Sequence, residues 1–142
     1  MNILVTGANG FVGRNLVENL KNIRDGKNRT SPNIFIGNIY EYDLASTTEE
    51  LDRYCADADF VFNLAGVNRP EDPKEFKEGN WGFASTLLDT LKRHGSKASV
   101  MLSSSLQAAL TGRFGTSEYG LSKKAGEDLF FQYAKETGIK VL

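Results

Sequence analysis

Short apolar runs alternate along this sequence with longer stretches in which apolar residues recur every three or four positions. Residues 2–6 form an apolar, β-branched run without polar alternation, which is typical of a strand buried on both faces of a parallel sheet. Residues 11–22 then carry apolar side chains at helical spacing. A weaker extended stretch covers 34–43, and the run DFVFNLAG at 59–66 repeats the pattern of a buried strand. The first part of the chain therefore predicts strands separated by helices.

The helix between the second and third of these strands has two alternative capping boxes, Ser46 with Glu49 and Thr47 with Glu50, and is predicted to end near Ala56. The remaining predicted elements are a helix over 74–94, a strand over 99–103, a helix over 118–137 with Gly138 as its C-cap, and the opening of another strand at 140–142. This alternation predicts an α/β fold, a Rossmann-type doubly wound parallel sheet. Because the last strand begins where the sequence stops, we expect the 142 residues to be a fragment of a longer protein.

Composition and charge narrow the classes of function. Apolar residues make up 40% of the chain and charged residues 25%, and the formal net charge is −1, so neither nucleic acid nor an anionic membrane is a predicted partner. The N-terminus lacks the pattern of a signal peptide, and no apolar stretch approaches the length of a membrane span. One cysteine, Cys55, and one histidine, His94, predict neither a disulfide nor a metal site. We therefore expect a cytoplasmic protein without a bound metal.

Residues 6–13, TGANGFVG, follow the first predicted strand and open the first predicted helix, which is the context that a dinucleotide-binding glycine loop requires. Gly7 would allow the sharp turn, Gly10 the approach of the backbone to a pyrophosphate, and Gly13 the close packing of the helix on the sheet. The free amides and the positive end of the helix would then face the phosphates. The predicted cofactor contacts in this segment are Gly7, Asn9, Gly10, Phe11, Val12 and Gly13.

Two further motifs place catalytic residue types near the same end of the sheet. Tyr119 and Lys123 are separated by one helical turn, and a lysine ammonium beside a phenol lowers the tyrosine's pKa toward the range of a general acid and base. The alternative interpretation of this YxxxK is polar decoration of a helix surface. The serines at 103–105 follow a predicted strand, where a hydroxyl can orient a substrate oxygen or simply cap the strand end.

In the order glycine loop, NLAG at 63–66, serine cluster and YxxxK, these motifs resemble the extended short-chain dehydrogenase/reductase family, also known as the NAD-dependent epimerase/dehydratase family, over the whole length of the chain. Members act mostly on nucleotide sugars. The resemblance implies that residues 1–142 are the NAD(P)-binding Rossmann domain, truncated before the C-terminal substrate-binding portion. It implies that Tyr119 is the catalytic acid and base and that Lys123 lowers its pKa and holds the nicotinamide ribose. It also implies catalytic roles for Ser105, with Ser104 as the alternative, and for Asn80, and cofactor contacts for Leu64, Ala65, Gly66 and Ser103.

A narrower resemblance covers residues 64–70, 102–108 and 119–123, which are similar to the N-terminal domains of capsular-polysaccharide reductases. Those enzymes reduce a UDP-4-keto-6-deoxy-hexosamine and also carry a C-terminal cupin, which this chain does not contain. Asn68, Arg69, Ser104 and Ser105 would then contact the substrate, and the guanidinium of Arg69 would hold a phosphate. The alternative for Arg69 is a surface salt bridge with a neighbouring acid.

The sequence carries opposing signals on the choice between NAD(H) and NADP(H). The similar reductases use NADPH, which makes NADP(H) the favoured expectation, and they carry a basic residue near the position of Leu44. This chain instead has Asp43 followed by Leu44. Asp43 either suits the free ribose of NAD(H) or matches the family's adenine-contacting aspartate of a following strand. Arg24, Lys27 and Arg29 offer an alternative source of positive charge for a 2′-phosphate.

The resulting hypothesis is NAD(P)H-dependent reduction of a UDP-4-keto-6-deoxy-hexosamine, with the isolated chain inactive toward that substrate. A nucleotide-sugar 4-epimerase or 4,6-dehydratase is the alternative within the family, although Leu106 and Gln107 replace the acids usual in dehydratases. A non-catalytic dinucleotide-binding module is the alternative outside it. By analogy with the family, the helices at 74–94 and 118–137 would form a homodimer interface.

Overall fold

A computed structural model describes residues 1–26, 35–43, 45–65, 82–102 and 118–142, with the backbone alone described for 118–126. Within these ranges the strands are β1 (Ile3–Thr6), β2 (Ile39–Tyr42), β3 (Phe60–Asn63) and β4 (Ser99–Leu102). The helices are α1 (Phe11–Arg24), α2 (Thr48–Asp57), α3 (Phe83–Arg93) and α4 (Glu118–Thr137). The strands form one parallel sheet in the order β2-β1-β3-β4. The α/β prediction is confirmed.

Alternate residues of β1, β2 and β3 enter different cores, which explains the largely apolar runs in these strands. Ile3 and Val5 of β1 pack with α1 on one face, whereas Leu4 packs on the other face. That second face is covered by α2, α3 and α4, whose buried core residues include Leu51, Cys55, Leu87, Leu91, Phe130 and Tyr133. A sheet with helices on both faces is the doubly wound arrangement that the sequence predicts.

The ends of the helices follow from local chemistry. The side chain of Thr47 accepts a hydrogen bond of 3.2 Å from the backbone N–H of Glu50, so the second of the two predicted capping boxes starts α2. Helix α4 has the predicted bounds, and Gly138 follows it with a φ of 74° while its N–H bonds to the carbonyl of Ala134. The predicted C-cap at Gly138 is confirmed.

Strand β2 is shorter than its prediction, because only Ile39–Tyr42 of the stretch 34–43 pairs with β1. The prediction of a helix over 74–94 holds for the described part, which begins at Phe83, while 74–81 lie outside the described residues. Val141 forms a parallel bridge with Val100 of β4, and Leu142 exchanges hydrogen bonds with that strand. The predicted further strand at 140–142 therefore lies on the outer side of β4.

Candidate functional site

The described strands end in one row at the same edge of the sheet. Thr6, the last residue of β1, is in register with Tyr42 of β2 and with Asn63 of β3, and Asn63 is in register with Leu102 of β4. The chain leaves β1 to form β2 on one side and returns to form β3 on the other, so the strand order reverses at β1. Ligands of open α/β sheets bind outside the carboxyl ends of the strands at such a reversal. This edge is therefore the candidate site.

Side chains join the two strand ends at this reversal. The buried hydroxyl of Thr6 donates a 2.6 Å hydrogen bond to Oδ1 of Asn63, and its oxygen also accepts the N–H of Ala65 at 3.3 Å. The backbone N–H of Leu64 in turn donates to the carbonyl of Thr6 at 3.2 Å. The turn that follows β3 is thus fixed against the glycine loop that follows β1.

Position 7 requires a glycine, both for its backbone conformation and for the space around it. Its φ of +69° lies in the left-handed region, and a Cβ on it would come within 2.7 Å of the nitrogen of Ala65 and the carbonyl carbon of Leu64. The backbone of the glycine loop therefore lies so close to the 64–65 turn that no side chain fits between them at Gly7. The role predicted for Gly7 at a sharp turn is in accord with this geometry.

Gly13 lets the first turn of α1 lie against the loop itself. A Cβ on Gly13 would come within 2.1 Å of the carbonyl oxygen of Gly7 and 2.9 Å of the Cα of Ala8. The contact is thus between the helix and its own loop, whereas the sequence suggested packing of the helix on the sheet. Gly7 and Gly13 together bring α1 close to the end of β1.

The N-terminus of α1 has no side-chain cap within the described residues. Gly10 is the N-cap and supplies no side chain, and the first turn of α1 contains no acidic residue. Phe11 and Val12 expose 86% and 61% of their surfaces, so their side chains do not pack into the core. Uncapped amides at the positive end of a helix attract an anion such as a pyrophosphate.

The loop also contacts the end of β2. The N–H of Ala8 donates to the carbonyl of Tyr42 at 3.2 Å, and the side-chain amide of Asn9 donates to Oδ2 of Asp43 at 2.5 Å. Burial raises the pKa of Tyr42, and the negative charge of Asp43 adds to the rise. The ring of Tyr42 stacks on Phe83 of α3 with 5.4 Å between centroids. The end of β2 is therefore fixed by hydrogen bonds to the glycine loop and by the ring contact with α3.

Tyr119 and Lys123 lie one turn apart in the first part of α4, as predicted, since that helix begins at Glu118. Their helix follows β4 and packs against α3 through Phe130 and Tyr133. The other predicted site residues lie outside the described part of the chain. They are Leu44, Gly66, Asn68, Arg69, Asn80, Ser103, Ser104 and Ser105.

Two residues of this edge were not singled out from the sequence for their connecting roles. Thr6 and Asn63 are the polar residues that end the otherwise apolar runs of β1 and β3. Polar residues at matching positions of two adjacent buried strands are a signal that each needs a hydrogen-bond partner. Recognising that signal requires the pairing register of β1 and β3, which cannot be derived from the sequence.

The described residues contain no group of three or more histidine, cysteine or carboxylate side chains that could hold a metal ion. Among the helices of the same residues, none is long and apolar enough to cross a membrane.

Comparisons with known proteins agree with this geometry. The chain is 37% identical over 141 residues to UDP-2-acetamido-2,6-beta-L-arabino-hexul-4-ose reductase of Pseudomonas aeruginosa, and spans 99% of its own length but only 34% of that reductase. It is 40% identical to the capsular polysaccharide assembling protein CapF of Staphylococcus aureus, with a TM-score of 0.74 over 99% of this chain and 34% of that one. MoeE5, solved in complex with UDP-glucose and NAD, is 26% identical with a TM-score of 0.73, over 99% of this chain and 52% of that one.

The chain thus spans about a third of the length of the first two relatives. The sequence profile of the NAD dependent epimerase/dehydratase family matches residues 3–142. This match covers the glycine loop, the strand ends that it joins and the Tyr119–Lys123 helix. The chain belongs to the NAD dependent epimerase/dehydratase family.

Proposed function

We propose that this chain is the dinucleotide-binding domain of an NAD(P)H-dependent reductase of a UDP-4-keto-6-deoxy-hexosamine, acting in the synthesis of a capsular or other surface polysaccharide. The observation that carries the proposal is the glycine loop, fixed between the ends of β2 and β3 and leading into an uncapped helix. The names of the relatives support the substrate class, since one is a UDP-sugar 4-keto reductase and another is a capsular polysaccharide protein.

The residues at this edge fit a dinucleotide. The amides of the first turn of α1 would bind the pyrophosphate, while Leu64 and Ala65 would lie along the cofactor, as their backbone contact with Gly7 suggests. Gly10 leaves room at the N-cap because no side chain fills it. A bound reduced nicotinamide supplies the hydride for the reaction.

The chain's own residues supply the proton and the orientation. Tyr119 would donate its phenolic proton to the substrate oxygen at C4, and Lys123, one turn further along α4, would stabilise the resulting phenolate and hold the ribose. Ser105 would hydrogen-bond the same oxygen, with Ser104 as the alternative. Asn80 would organise a water molecule that relays a proton back to Tyr119. Asn68 and Arg69 would hold the UDP-sugar.

The proposal also covers the domain organisation, the cellular location and the oligomeric state of the protein. Residues 1–142 would act as one NAD(P)-binding unit, and the working place would be the cytoplasm, where nucleotide sugars are made. The protein would form a homodimer through α3 and α4. In support of that interface, Phe131 on α4 exposes 59% of its surface.

The test replaces Tyr119 by Phe in the natural protein that contains this chain. We expect loss of about 10²–10⁴-fold in kcat, the usual contribution of a general acid, with unchanged cofactor binding. Tyr54→Phe, a change of a partly buried tyrosine on α2, is the matched control and should retain turnover. Undiminished turnover by Tyr119→Phe would refute the assigned chemistry.

The same assay separates reductase from epimerase. A reductase oxidises one equivalent of reduced cofactor for each product formed, so nicotinamide absorbance falls in step with product. An epimerase returns the hydride and shows no net oxidation. Product formation without net oxidation would favour the epimerase alternative, and binding of the cofactor without any turnover would favour the non-catalytic module.

A further inference from the structure

We infer that Asn9 is a site of spontaneous deamidation, at which the next backbone nitrogen attacks the side-chain amide, and that the carboxylate of Asp43 slows this reaction. The sequence contains one asparagine that is followed by glycine, and it is Asn9, followed by Gly10 in the glycine loop. Asparagine is a thermolabile residue, and glycine has no side chain to obstruct the attack. The chemistry at Asn9 stands by itself, whereas its effect on cofactor binding rests on the proposed function.

The reaction requires no reagent other than water. The backbone nitrogen of Gly10 forms a bond to Cγ of Asn9 and loses its proton, while the bond from Cγ to Nδ2 breaks and the amide nitrogen leaves as ammonia. Water then opens the resulting five-membered imide ring. Cleavage between the ring nitrogen and Cγ gives an aspartate at position 9. Cleavage between that nitrogen and the main-chain carbonyl carbon gives an isoaspartate, in which the main chain runs through Cβ and Cγ.

Hydrogen bonds engage both reacting groups in the folded chain. Nδ2 of Asn9 donates to Oδ2 of Asp43 at 2.5 Å, and the N–H of Gly10 donates to the carbonyl of Gly7 at 3.1 Å. The carbonyl of Gly10 also accepts the N–H of Arg14 at 2.9 Å. Because Cγ must move to bonding distance of a nitrogen that loses its proton, the bonds to Asp43 and to Gly7 have to break before the ring closes.

Asp43 is itself a fixed acceptor. Its Oδ1 accepts the backbone N–H of Ala45 at 2.7 Å, and its own backbone N–H donates to Oγ of Ser46 at 3.0 Å. Its carbonyl accepts the N–H of Ser46 at 3.1 Å. Asp43 is partly buried, whereas Asn9 is exposed to the water that the reaction consumes. The rate at Asn9 therefore depends on how often the bond to Asp43 opens.

Asn2 provides a comparison within the same protein. Its side-chain amide donates to Oδ2 of Asp57 at 3.0 Å, so a carboxylate holds it as well. Asn2 is followed by Ile3, whose side chain is branched at Cβ and obstructs the attack that glycine permits. Arg14 is the first basic residue of the sequence, so trypsin releases both asparagines in one peptide, residues 1–14. The two sites are thus measured together.

Deamidation would add a negative charge where the proposed pyrophosphate binds. The product carboxylate cannot donate to Asp43, and its charge repels that of Asp43. It also lies at the N-terminus of α1, whose first turn contains no acidic residue. An anion that binds to the amides of that turn is repelled by a carboxylate beside them. Loss of the amide should therefore weaken dinucleotide binding.

The experiment incubates the natural protein that contains this chain near neutral pH and follows the mass of the tryptic peptide 1–14, with fragmentation to assign the modified residue. In the folded wild type we expect Asn9 to react at least about tenfold more slowly than in guanidinium chloride. Asp43→Ala should raise the rate in the folded protein by about tenfold, since a hydrogen bond to a charged group corresponds to at least that factor.

Asp57→Ala is the matched control. It removes the carboxylate that holds Asn2, and it should leave the rate at Asn9 unchanged. Thermal melts establish that each variant is folded. Asp43→Asn retains an acceptor oxygen, so its rate at Asn9 should lie between those of the wild type and Asp43→Ala, and it replaces Asp43→Ala if that variant does not fold. An unchanged rate in the folded Asp43 variant, or an equal increase in Asp57→Ala, would overturn the inference.

A second measurement tests the effect on binding. Asn9→Asp imitates the product, and Asn9→Ser removes the amide without adding charge. We expect NADH and NADPH to bind about two- to fivefold more weakly to Asn9→Asp than to Asn9→Ser, the factor typical of a charge at the end of a helix. Equal affinities would contradict the effect on binding. If the wild type bound neither cofactor, the proposed function would fail, while the rates at Asn9 would still decide the inference about deamidation.

Discussion

The hydroxyl of Thr6 and the side-chain oxygen of Asn63 are joined by a 2.6 Å hydrogen bond between the carboxyl ends of β1 and β3. Both side chains are buried, with Thr6 at 0% exposure and Asn63 at 7%. Parallel strands are usually joined by backbone bonds alone, so this pair adds a side-chain connection where the strand order reverses. The same hydroxyl accepts the N–H of Ala65 and so positions the turn that faces the glycine loop.

Replacing Thr6 by Val should destabilise the protein, because it leaves the buried oxygen of Asn63 without its donor and the N–H of Ala65 without its acceptor. We expect a loss of about 1–3 kcal/mol in the free energy of unfolding. Urea denaturation followed by circular dichroism measures it. Thr86→Val on the exposed side of α3 is the control and should change stability by less than about 0.5 kcal/mol. Equal effects of the two changes would contradict the role of Thr6.

Gly13→Ala should disrupt the glycine loop, because the new methyl group would overlap the carbonyl oxygen of Gly7. Either α1 or the loop has to shift, and we expect a cost of about 1–3 kcal/mol or more together with weaker cofactor binding. Gly82→Ala is the control, since Gly82 has helical dihedral angles and no atom of the described residues lies within 4 Å of its added Cβ. That control should be neutral or stabilise the protein by up to about 1 kcal/mol. Thermal melts and cofactor titrations of both variants supply the comparison.

Tyr133→Phe should preserve or increase stability, because the buried hydroxyl of Tyr133 has no hydrogen-bond partner in the described part of the chain. Burying an unpaired hydroxyl costs about 1–3 kcal/mol, and phenylalanine retains the packing of the ring. Tyr133→Leu changes the shape of the side chain instead and should destabilise the core. A marked loss of stability in Tyr133→Phe, measured by chemical denaturation, would show that the hydroxyl has a partner.

Cys55 should be unreactive in the folded protein. Burial raises the pKa of its thiol from 9.0 to about 12, so the nucleophilic thiolate is nearly absent at neutral pH. We expect alkylation by iodoacetamide to be slow in buffer and rapid in denaturant, as followed by mass spectrometry. Rapid modification of native protein would contradict this.

The same shift makes stability depend on alkaline pH. Above pH 9.0 the unfolded chain loses the thiol proton while the folded chain retains it, so the stability contributed by the neutral thiol is lost as the pH rises toward about 12. Burial also raises the pKa of Tyr42 and Tyr133, whose ionisation acts in the same direction. The contribution of Cys55 is therefore measured as the difference between the wild type and Cys55→Val across that range.

Features that depend on neighbouring residues in the sequence could be predicted from the sequence alone. The bounds of α4 and the left-handed Gly138 follow from helical spacing and a glycine C-cap, and the structure confirms both. The glycine loop could be placed because its spacing and its position between a strand and a helix are local as well. The choice between the two capping boxes before α2 was open, because both pairs have the same spacing and only the backbone geometry selects Thr47.

Features that depend on register could not be read from the sequence. The bond between Asn9 and Asp43 joins residues 34 positions apart, and that between Thr6 and Asn63 spans 57. No helical or strand spacing relates the two residues of either pair, so each contact can be predicted only when the strand order is known. The overlap of a Gly13 Cβ with the carbonyl of Gly7 likewise depends on how sharply the loop turns.

The close contacts of Gly7 and Gly13 limit how much conformational freedom the loop could lose when an anion binds. The loop already bonds to itself between Gly10 and Gly7 and to β2 through Ala8, and it contacts the turn after β3 at Gly7. Association with a ligand is weakened by every segment that must be immobilised, and this segment is already bonded to itself and to the end of β2. The loop is thus preorganised, so the proposed binding of a dinucleotide would require little further ordering of this segment of the protein.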